Sequence, residues 1–214
     1  MDRFTDRVDA GRRLGQQLLH LRDSNPVVLG VPRGGVPVAA EVAKALAAPL
    51  DVIVVRKLGL PSHPEVAMGA IGEDGARLVN TELKSMAGVS DAQLDAVEQR
   101  ERAVLDNRVA LLRHGRNRID VAGRTVVVVD DGIATGATSR VACQVARQLG
   151  AARVVLAAPV GAADAVNSTL DADEVICTLV PPHFFAVGYH YENFRPTTDE
   201  EVSSLLDAAA GRLA

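Results

Sequence analysis

Short apolar runs rich in β-branched residues alternate along the chain with alanine-rich helical segments. The runs predict strands at 27–31, 51–55, 125–129, 153–157 and 174–177. Because successive residues in each run are apolar, both faces of each strand must be buried, which is typical of a parallel sheet with helices on both faces. Helices are expected at 36–48, 138–149 and 161–169, after an amphipathic helix within residues 1–22. The sequence therefore predicts an α/β fold.

Two segments interrupt this alternation. Residues 67–79 have the pattern of a β-hairpin, and residues 90–113 that of one long helix, which the capping-box spacing of Ser90 and Gln93 opens. One face of this helix is expected to carry Leu94, Val97, Val104, Leu105, Leu111 and Leu112. We expect the hairpin, the inserted helix and the C-terminal segment 181–198 to form a small hood or flap on the α/β domain.

Length and composition limit the organisation of the chain. With 214 residues, and no internal repeat or linker-like segment, we expect residues 1–214 to form a single domain. No apolar run approaches the roughly 18 residues that span a bilayer. Residues 1–7 also lack the apolar stretch of a signal peptide, so we expect a cytoplasmic protein without a membrane partner. Cys143 and Cys177 have no metal-site spacing, and we interpret them as small buried hydrophobes.

Charge argues against a polyanion as partner. The chain has 23 basic and 27 acidic residues, a formal net charge of −4, so nucleic acid is not expected to bind by neutralising phosphates. Arg113, Arg116 and Arg118 cluster around His114, and we interpret them as a solvated helix end.

The most informative stretch follows the predicted strand 125–129. That buried strand ends in Asp130 and Asp131, at the edge of a parallel sheet where α/β proteins bind ligands, and carboxylates there can accept hydrogen bonds from a diol. The loop 135–138 then opens a helix. Its backbone N–H groups, two hydroxyls and a glycine suit a phosphate monoester. A structural alternative is that the acids only start a turn and Thr138 only caps the helix, but the combination favours a sugar phosphate.

Two further turns belong to the same edge. In the segment 31–37, Arg33, Gly34 and Gly35 can form a second anion-binding turn or an ordinary strand-to-helix turn. Arg56 and Lys57 follow another strand, and Lys57 is the only one of the three lysines placed at a strand end. The loop 58–65 after it is either a lid that excludes water or a solvated surface loop.

The stretch 126–138 resembles the 5-phosphoribosyl-1-pyrophosphate (PRPP) motif of the type I phosphoribosyltransferases. The resemblance extends over most of residues 1–200 to a bacterial group of such proteins whose acceptor is not assigned. It implies that Asp130 and Asp131 bind the ribose hydroxyls and that Thr135, Gly136, Ala137 and Thr138 bind the 5-phosphate. It further implies a pyrophosphate loop, often with a cis peptide, at Arg33, Gly34 and Gly35, with Lys57 beside it.

The activity that the resemblance implies is transfer of the ribosyl phosphate from PRPP to a nitrogenous base, with pyrophosphate leaving. Lys57, Asp131 and Arg56 are the candidate catalytic residues. Pyrophosphate is a poor leaving group unless its charge is neutralised, so we expect Mg²⁺ as cofactor, held by Asp130 and Asp131 mostly through water and the ribose hydroxyls.

The aromatic residues concentrate between 181 and 195, which holds three of the four phenylalanines and both tyrosines. They can stack on a planar base or simply close the C-terminal edge as a satellite cluster. Residues 185–189 resemble the base-binding strand of hypoxanthine-guanine phosphoribosyltransferases, which would place Phe185 over the base and Val187 at its edge, with Glu192 as the nearby acid. This favours a purine-like base over a pyrimidine.

The sequence departs from the hypoxanthine-guanine group at two points, so the acceptor base is not assigned. Ala134 stands where that group has an aspartate, and no lysine follows Lys84, whereas that group has a lysine that contacts the purine oxygen. The main alternative to an enzyme is a regulatory protein that binds PRPP without transferring it. A third is an assembly or phosphosugar-binding module that uses the 90–113 helix, and that segment also leaves room for a homodimer.

Overall fold

The computed structural model describes residues 3–168 and 171–212. Its central sheet has five parallel strands in the order β2-β1-β6-β7-β8. They are β1 (Val27–Gly30), β2 (Leu50–Val52), β6 (Thr125–Val129), β7 (Arg153–Val160) and β8 (Glu174–Leu179). A second sheet is antiparallel, with the order β3-β4-β5. It comprises β3 (Val55–Gly59), β4 (Ala67–Gly72) and β5 (Arg77–Val79).

Seven α-helices of the described residues cover these sheets. They are α1 (Arg7–Gln17), α2 (Gly35–Leu46), α3 (Thr81–Met86), α4 (Asp91–Arg113), α5 (Ala137–Gln148), α6 (Ala163–Asn167) and α7 (Asp199–Ala210). The buried residues form one large cluster on each face of the central sheet. This confirms the predicted α/β fold with helices on both faces. The last residue of the helix expected at 161–169 lies outside the described residues. None of the helices described is long and apolar enough to cross a bilayer.

The predicted strand 51–55 is in fact two strands in two sheets. The chain leaves the central sheet after Val52 and enters the antiparallel sheet at Val55. An apolar run indicates that its residues are buried, but it does not indicate the sheet in which they pair. The division of residues 51–55 between two sheets could therefore not be predicted from the sequence. The hairpin 67–79 is confirmed as β4 and β5, with β3 as an additional partner.

The inserted helix α4 begins at its predicted capping box, in which Ser90 and Gln93 bond reciprocally. It packs against β3, β4 and α7. Val104 and Leu111, expected on the buried face, are 44% and 47% exposed, whereas Leu105 and Leu112 are buried. Because neighbouring helix residues point about 100° apart, residues 104 and 105 cannot both face the same core.

A buried ionic cluster joins the two sheets. Arg113, at the end of α4, donates from Nε to Asp51 Oδ1 at 3.1 Å and from Nη2 to Glu73 Oε1 at 3.2 Å, and a second ion pair joins Nη1 to Glu73. All three residues are buried. Asp51 belongs to β2 and Glu73 to the turn after β4. The expectation of a solvated helix end is therefore wrong for Arg113, because the helix ends where two buried carboxylates require a cation.

Replacement of Arg113 by Met should lower the free energy of unfolding by about 3–5 kcal/mol, because two buried carboxylates lose their partner. Burial already raises the pKa of Glu73, against the opposing effect of Arg113. A carboxyl whose folded-state pKa is raised favours folding at low pH and loses that contribution as pH rises. The destabilisation should thus be smaller at pH 5 than at pH 8 in urea denaturation. The matched variant Arg22→Met removes an exposed, unpaired arginine of the described chain and should leave stability unchanged; equal losses in both variants would contradict this account.

Candidate functional site

Two adjacent carboxylates end the central strand β6 at the carboxyl edge of the parallel sheet. Asp130 and Asp131 are both partly buried. Asp130 accepts a hydrogen bond from Ser139 Oγ at 2.9 Å and one from the backbone N–H of Asp131 at 2.9 Å. Desolvation and, second, the neighbouring Asp131 carboxylate raise the pKa of Asp130 above its usual range. The site thus contains two adjacent carboxylates, and the electrostatic repulsion between them must be offset by a nearby cation.

Arg7, from the first turn of α1, supplies that offset. Its Nε and Nη2 donate to Asp131 Oδ2 at 2.9 and 2.7 Å, and its Nη1 donates to the carbonyl of Arg195 at 2.8 Å. The guanidinium carbon lies 3.9 Å from the ring centroid of Phe194. Arg7 therefore joins the acidic pair to the N-terminal helix and to the C-terminal segment.

Tyr191 holds the same loop from the other side. Its hydroxyl donates to the carbonyl of Asp131 at 2.6 Å, and its buried ring packs on Phe4 and Phe194. Burial, with Asp131 nearby, raises the pKa of this hydroxyl well above its usual value, so it remains a donor. The sequence analysis missed Arg7 and Tyr191. The concentration of aromatics in the tail was the only signal for either residue.

The loop before α5 has several backbone donors without a partner in the described structure. In the described structure the N–H groups of residues 134–136, 138 and 139 donate no hydrogen bond. Gly136, at φ +71°, takes the left-handed conformation that lets the loop turn into the helix. Ile133 fixes the loop by bonds of its N–H to Val160 and of its carbonyl to Ala162. The structural alternative for Thr138 is wrong, because Gly136 is the N-cap and Thr138 is exposed.

The turn between β1 and α2 lies directly against the acidic pair. It contains a cis peptide bond between Pro32 and Arg33. A Cβ on Gly34 would lie 1.9 Å from Asp131 Oδ2, and one on Gly35 would lie 2.5 Å from the carbonyl oxygen of Val129. Only glycines permit this approach. The sequence predicted the turn 33–35 and the acidic pair at the same edge of the sheet, and the structure brings them into van der Waals contact.

One cation of this turn has no partner. Among the lysines and arginines of the described chain, the side chains of Arg22, Arg33 and Lys57 make no hydrogen bond or ion pair. Lys44 and Lys84, by contrast, are paired with Glu41 and Asp91. Lys57 lies on β3 opposite Ala70 of β4, and its side chain is exposed. Of these three, only Arg33 lines the cavity beside the turn, and Lys57 is not among the lining residues, so its part in the anion site stays a prediction.

A cavity of about 430 Å³ opens beside this turn. Its polar lining comes from Arg33, Arg56, Arg108 and Thr138. Arg56 donates to Glu101 of α4 at 2.6 Å and 3.0 Å. The cavity thus lies between the glycine turn, β3, α4 and the phosphate-type loop, and its charged lining is cationic.

The predicted lid is the tip of the β3–β4 hairpin. Leu58 and Gly59 belong to β3, and the turn is closed by the N–H of Leu60 donating to Val66 and that of Val66 donating to His63. Residues 61–67 are exposed. None of residues 58–65 is among those that line the cavity, so the role of this hairpin tip as a lid stays a prediction.

The C-terminal segment lies on the opposite side of the acidic loop. Val187 packs over Gly132, where a Cβ would lie 2.5 Å from its Cγ1. Phe185 is 79% exposed, with its ring 5.9 Å from that of Tyr189, and Glu192 is exposed. The segment 185–189 is not the strand that the resemblance implied. Val187–His190 form a single 3₁₀ turn, because this stretch packs onto the loop through side chains rather than pairing with a sheet edge.

The residues fit a magnesium ion that keeps most of its waters. No group of three or more His, Cys, Asp or Glu side chains among the described residues could enclose a metal. Asp130 and Asp131 offer two adjacent carboxylates, of which Asp131 Oδ2 already faces Arg7. Mg²⁺ is commonly bound by one or two carboxylates together with substrate phosphates. The donor set is therefore adequate for Mg²⁺ with a phosphorylated ligand.

Comparison with known proteins agrees with this geometry. Residues 2–192 match the phosphoribosyl transferase domain family. Two Mycobacterium tuberculosis proteins, each named "Putative phosphoribosyl transferase" and from strains CDC 1551 and H37Rv, are 55% identical over 210 residues, which is 98% of this chain and 47% of theirs. The crystal structure of TT1426 from Thermus thermophilus superposes with a TM-score of 0.87 at 43% identity, covering 95% of this chain and 97% of that one.

The chain belongs to the phosphoribosyl transferase domain family. It spans about half the length of the curated relatives it matches. The family is therefore established, whereas the reaction and the substrates of the protein are taken up below as proposals.

Replacement of Gly34 by Ala tests how closely the turn and the acids must fit. The added methyl would clash with the Asp131 carboxylate and force the predicted pyrophosphate turn 33–35 away from it. Calorimetry should therefore record at least about a tenfold loss of pyrophosphate affinity, equivalent to about 1.4 kcal/mol. The backbone of Gly34, at φ −61° and ψ −33°, is in a conformation that alanine also adopts, so the variant should still fold. The control Gly211→Ala, where the nearest atom to a Cβ is 3.7 Å away, should bind as wild type. Unchanged pyrophosphate affinity in Gly34→Ala would contradict the predicted site.

Proposed function

We propose that this protein is a Mg²⁺-dependent phosphoribosyltransferase that transfers the ribosyl phosphate of PRPP to a nitrogenous base and releases pyrophosphate. The observation that carries the proposal is the contact between the glycine turn at Gly34 and the acidic pair, next to a loop with unbonded backbone donors and a cationic cavity that Thr138 of this loop also lines. A sugar with a phosphate at each end matches this order of groups. Membership of the phosphoribosyl transferase domain family supports it.

Each part of the ligand has a proposed partner. The exposed N–H groups and hydroxyls around Thr135 and Thr138 bind the 5-phosphate, with the positive end of α5 behind them. Asp130 and Asp131 accept the ribose hydroxyls. Arg33, with the backbone of Gly34 and Gly35, binds the pyrophosphate. The ribose therefore lies over the acids, with its anomeric carbon between the cationic cavity and the tail.

The chemistry follows from that placement. The bond from the anomeric carbon to pyrophosphate breaks with its electron pair on the leaving oxygen, and a ring nitrogen of the base forms the new bond and loses its proton. Mg²⁺, when bound, neutralises the charge that builds on pyrophosphate. Lys57 and Arg56 add positive charge beside the leaving group, and a closed hairpin tip at 60–66 would exclude water that competes with the base.

The acceptor is proposed to be a purine-like base, stacked on Phe185 and edged by Val187. The large exposed fraction of Phe185 and the packing of Val187 over Gly132, next to the two aspartates, support this placement. Ala134 and the lack of a lysine after Lys84 mean that the groups with which hypoxanthine-guanine enzymes read their base are not all present. A calorimetric binding screen of bases, with pyrophosphate and Mg²⁺ present, would therefore identify the acceptor.

Replacement of Asp131 by Asn should weaken PRPP binding in the presence of Mg²⁺ by about tenfold or more, because a charge-assisted acceptor of the ribose hydroxyls is lost. Asp130→Asn should act in the same direction. Calorimetry with Mg²⁺ and with EDTA measures both effects. Asp164→Asn, on the short helix α6, is the matched control and should bind as wild type. Wild-type affinity in the double variant at 130 and 131 would refute the proposed ribose site.

Replacement of Lys57 by Ala separates a transferase from a regulatory PRPP-binding protein. The Lys57 charge should matter most as pyrophosphate departs, so kcat should fall more than PRPP affinity. Lys44→Ala, which removes a surface lysine paired with Glu41, is the control and should turn over normally. Normal turnover in Lys57→Ala would exclude the proposed role of this lysine. Tight PRPP binding by a wild type that transfers to no base would favour the regulatory protein instead.

A further inference from the structure

The inserted helix α4 forms one wall of the cationic cavity, although neither the composition nor the resemblance gave it a role in the site. Val104 and Arg108 both line the cavity, and they lie four residues apart on one face of α4. Glu101, one turn earlier, holds Arg56 at the same cavity. The face of α4 that carries Glu101, Val104 and Arg108 therefore faces the predicted pyrophosphate site rather than the core.

Arg108 is held in one orientation by the start of α7. Its Nη1 donates to Asp199 Oδ2 at 2.9 Å, and its Nη2 lies 2.8 Å from Asp199 Oδ1. Only the Nη1 contact is a hydrogen bond, so the ion pair uses one of the five N–H donors of the guanidinium. The other four donate no hydrogen bond in the described structure. The pairing therefore orders the side chain and leaves donors for a further anion.

The charge around Arg108 suits a polyanion. Three guanidinium groups, of Arg33, Arg56 and Arg108, line the cavity, and no carboxylate of the described residues does so. The carboxylates of Glu101 and Asp199 contact Arg56 and Arg108 without belonging to the lining. A planar guanidinium fork matches phosphate oxygens in pairs, which a single lysine cannot do.

We infer that Arg108 is a further pyrophosphate-binding residue, supplied by the inserted helix and held in position by Asp199. The inference rests on the proposed function, since it takes the cavity beside Arg33 to be the pyrophosphate site. It assigns α4 a direct part in substrate binding, beyond the flap or interface that its sequence suggested. The ligand group that Arg108 contacts is the part of PRPP that leaves, not the 5-phosphate.

Calorimetry of two separate ligands tests this inference. Arg108→Gln should lower the affinity for inorganic pyrophosphate with Mg²⁺ by about tenfold, as expected for a lost charge-assisted contact, and leave ribose 5-phosphate affinity within about twofold. Arg108→Lys should recover part of the loss, because it keeps the charge but not the fork. Arg100→Gln, on the same helix and paired only with Glu101, is the control and should bind both ligands as wild type.

The double variant Arg108→Gln with Asp199→Asn guards against an effect of the orphaned carboxylate, and it should show the same loss as Arg108→Gln alone. Wild-type pyrophosphate affinity in Arg108→Gln, or equal losses for both ligands, would overturn the inference while leaving the proposed function in place. A double variant that recovers wild-type affinity would also overturn it. If the wild-type protein bound neither pyrophosphate nor ribose 5-phosphate, the proposed function itself would fail and the inference with it.

Discussion

The ion pair between Arg7 and Asp131 is the interaction on which the candidate site depends. Two carboxylates in sequence at the end of a buried strand repel each other, and desolvation adds to the cost of their charge. Arg7 offsets that cost with two hydrogen bonds to Asp131 Oδ2, and it reaches the carbonyl of Arg195 with the same guanidinium. One side chain therefore positions the acidic pair, the N-terminal helix and the C-terminal segment together.

A second arginine fixes the antiparallel sheet against the central sheet. Arg113 joins Asp51 of β2 to Glu73 in the turn after β4, and all three residues are buried. Because β3 carries Arg56, which lines the cavity, the position of the antiparallel sheet against the central sheet determines where this arginine lies. The side chain of Arg33, in the turn after β1, makes no ion pair and is available to a ligand.

The sequence predicted the part of the site that depends on local pattern. The valine strand before Asp130, the glycine turn 33–35 and the loop 135–138 all have signatures within a few residues, and the structure has the strand, the turn and the loop there. The same holds for the capping box of α4. Local pattern also fixed the parallel sheet, because strands that are apolar on both faces have few other arrangements.

The features that could not be predicted from the sequence depend on contacts between residues that are far apart in the chain. Arg7 and Asp131 are 124 positions apart, and Arg113 and Asp51 are 62 apart. Nothing local distinguishes either arginine from a solvated one. The split of residues 51–55 between two sheets, and the exposure of Val104 beside Arg108, likewise follow from how elements pack. Sequence reasoning therefore found the ligand edge, but not the side chains that hold it in place.

We propose that one extended sugar phosphate spans the acidic pair, the loop before α5 and the cationic cavity. A crystal structure with PRPP and Mg²⁺ is the decisive test of this binding mode. We expect the 5-phosphate on the N–H groups of residues 134–138, the ribose hydroxyls on Asp130 and Asp131, and the pyrophosphate within hydrogen-bond distance of Arg33. Pyrophosphate density outside that cavity, or a ribose that does not contact the two aspartates, would contradict it.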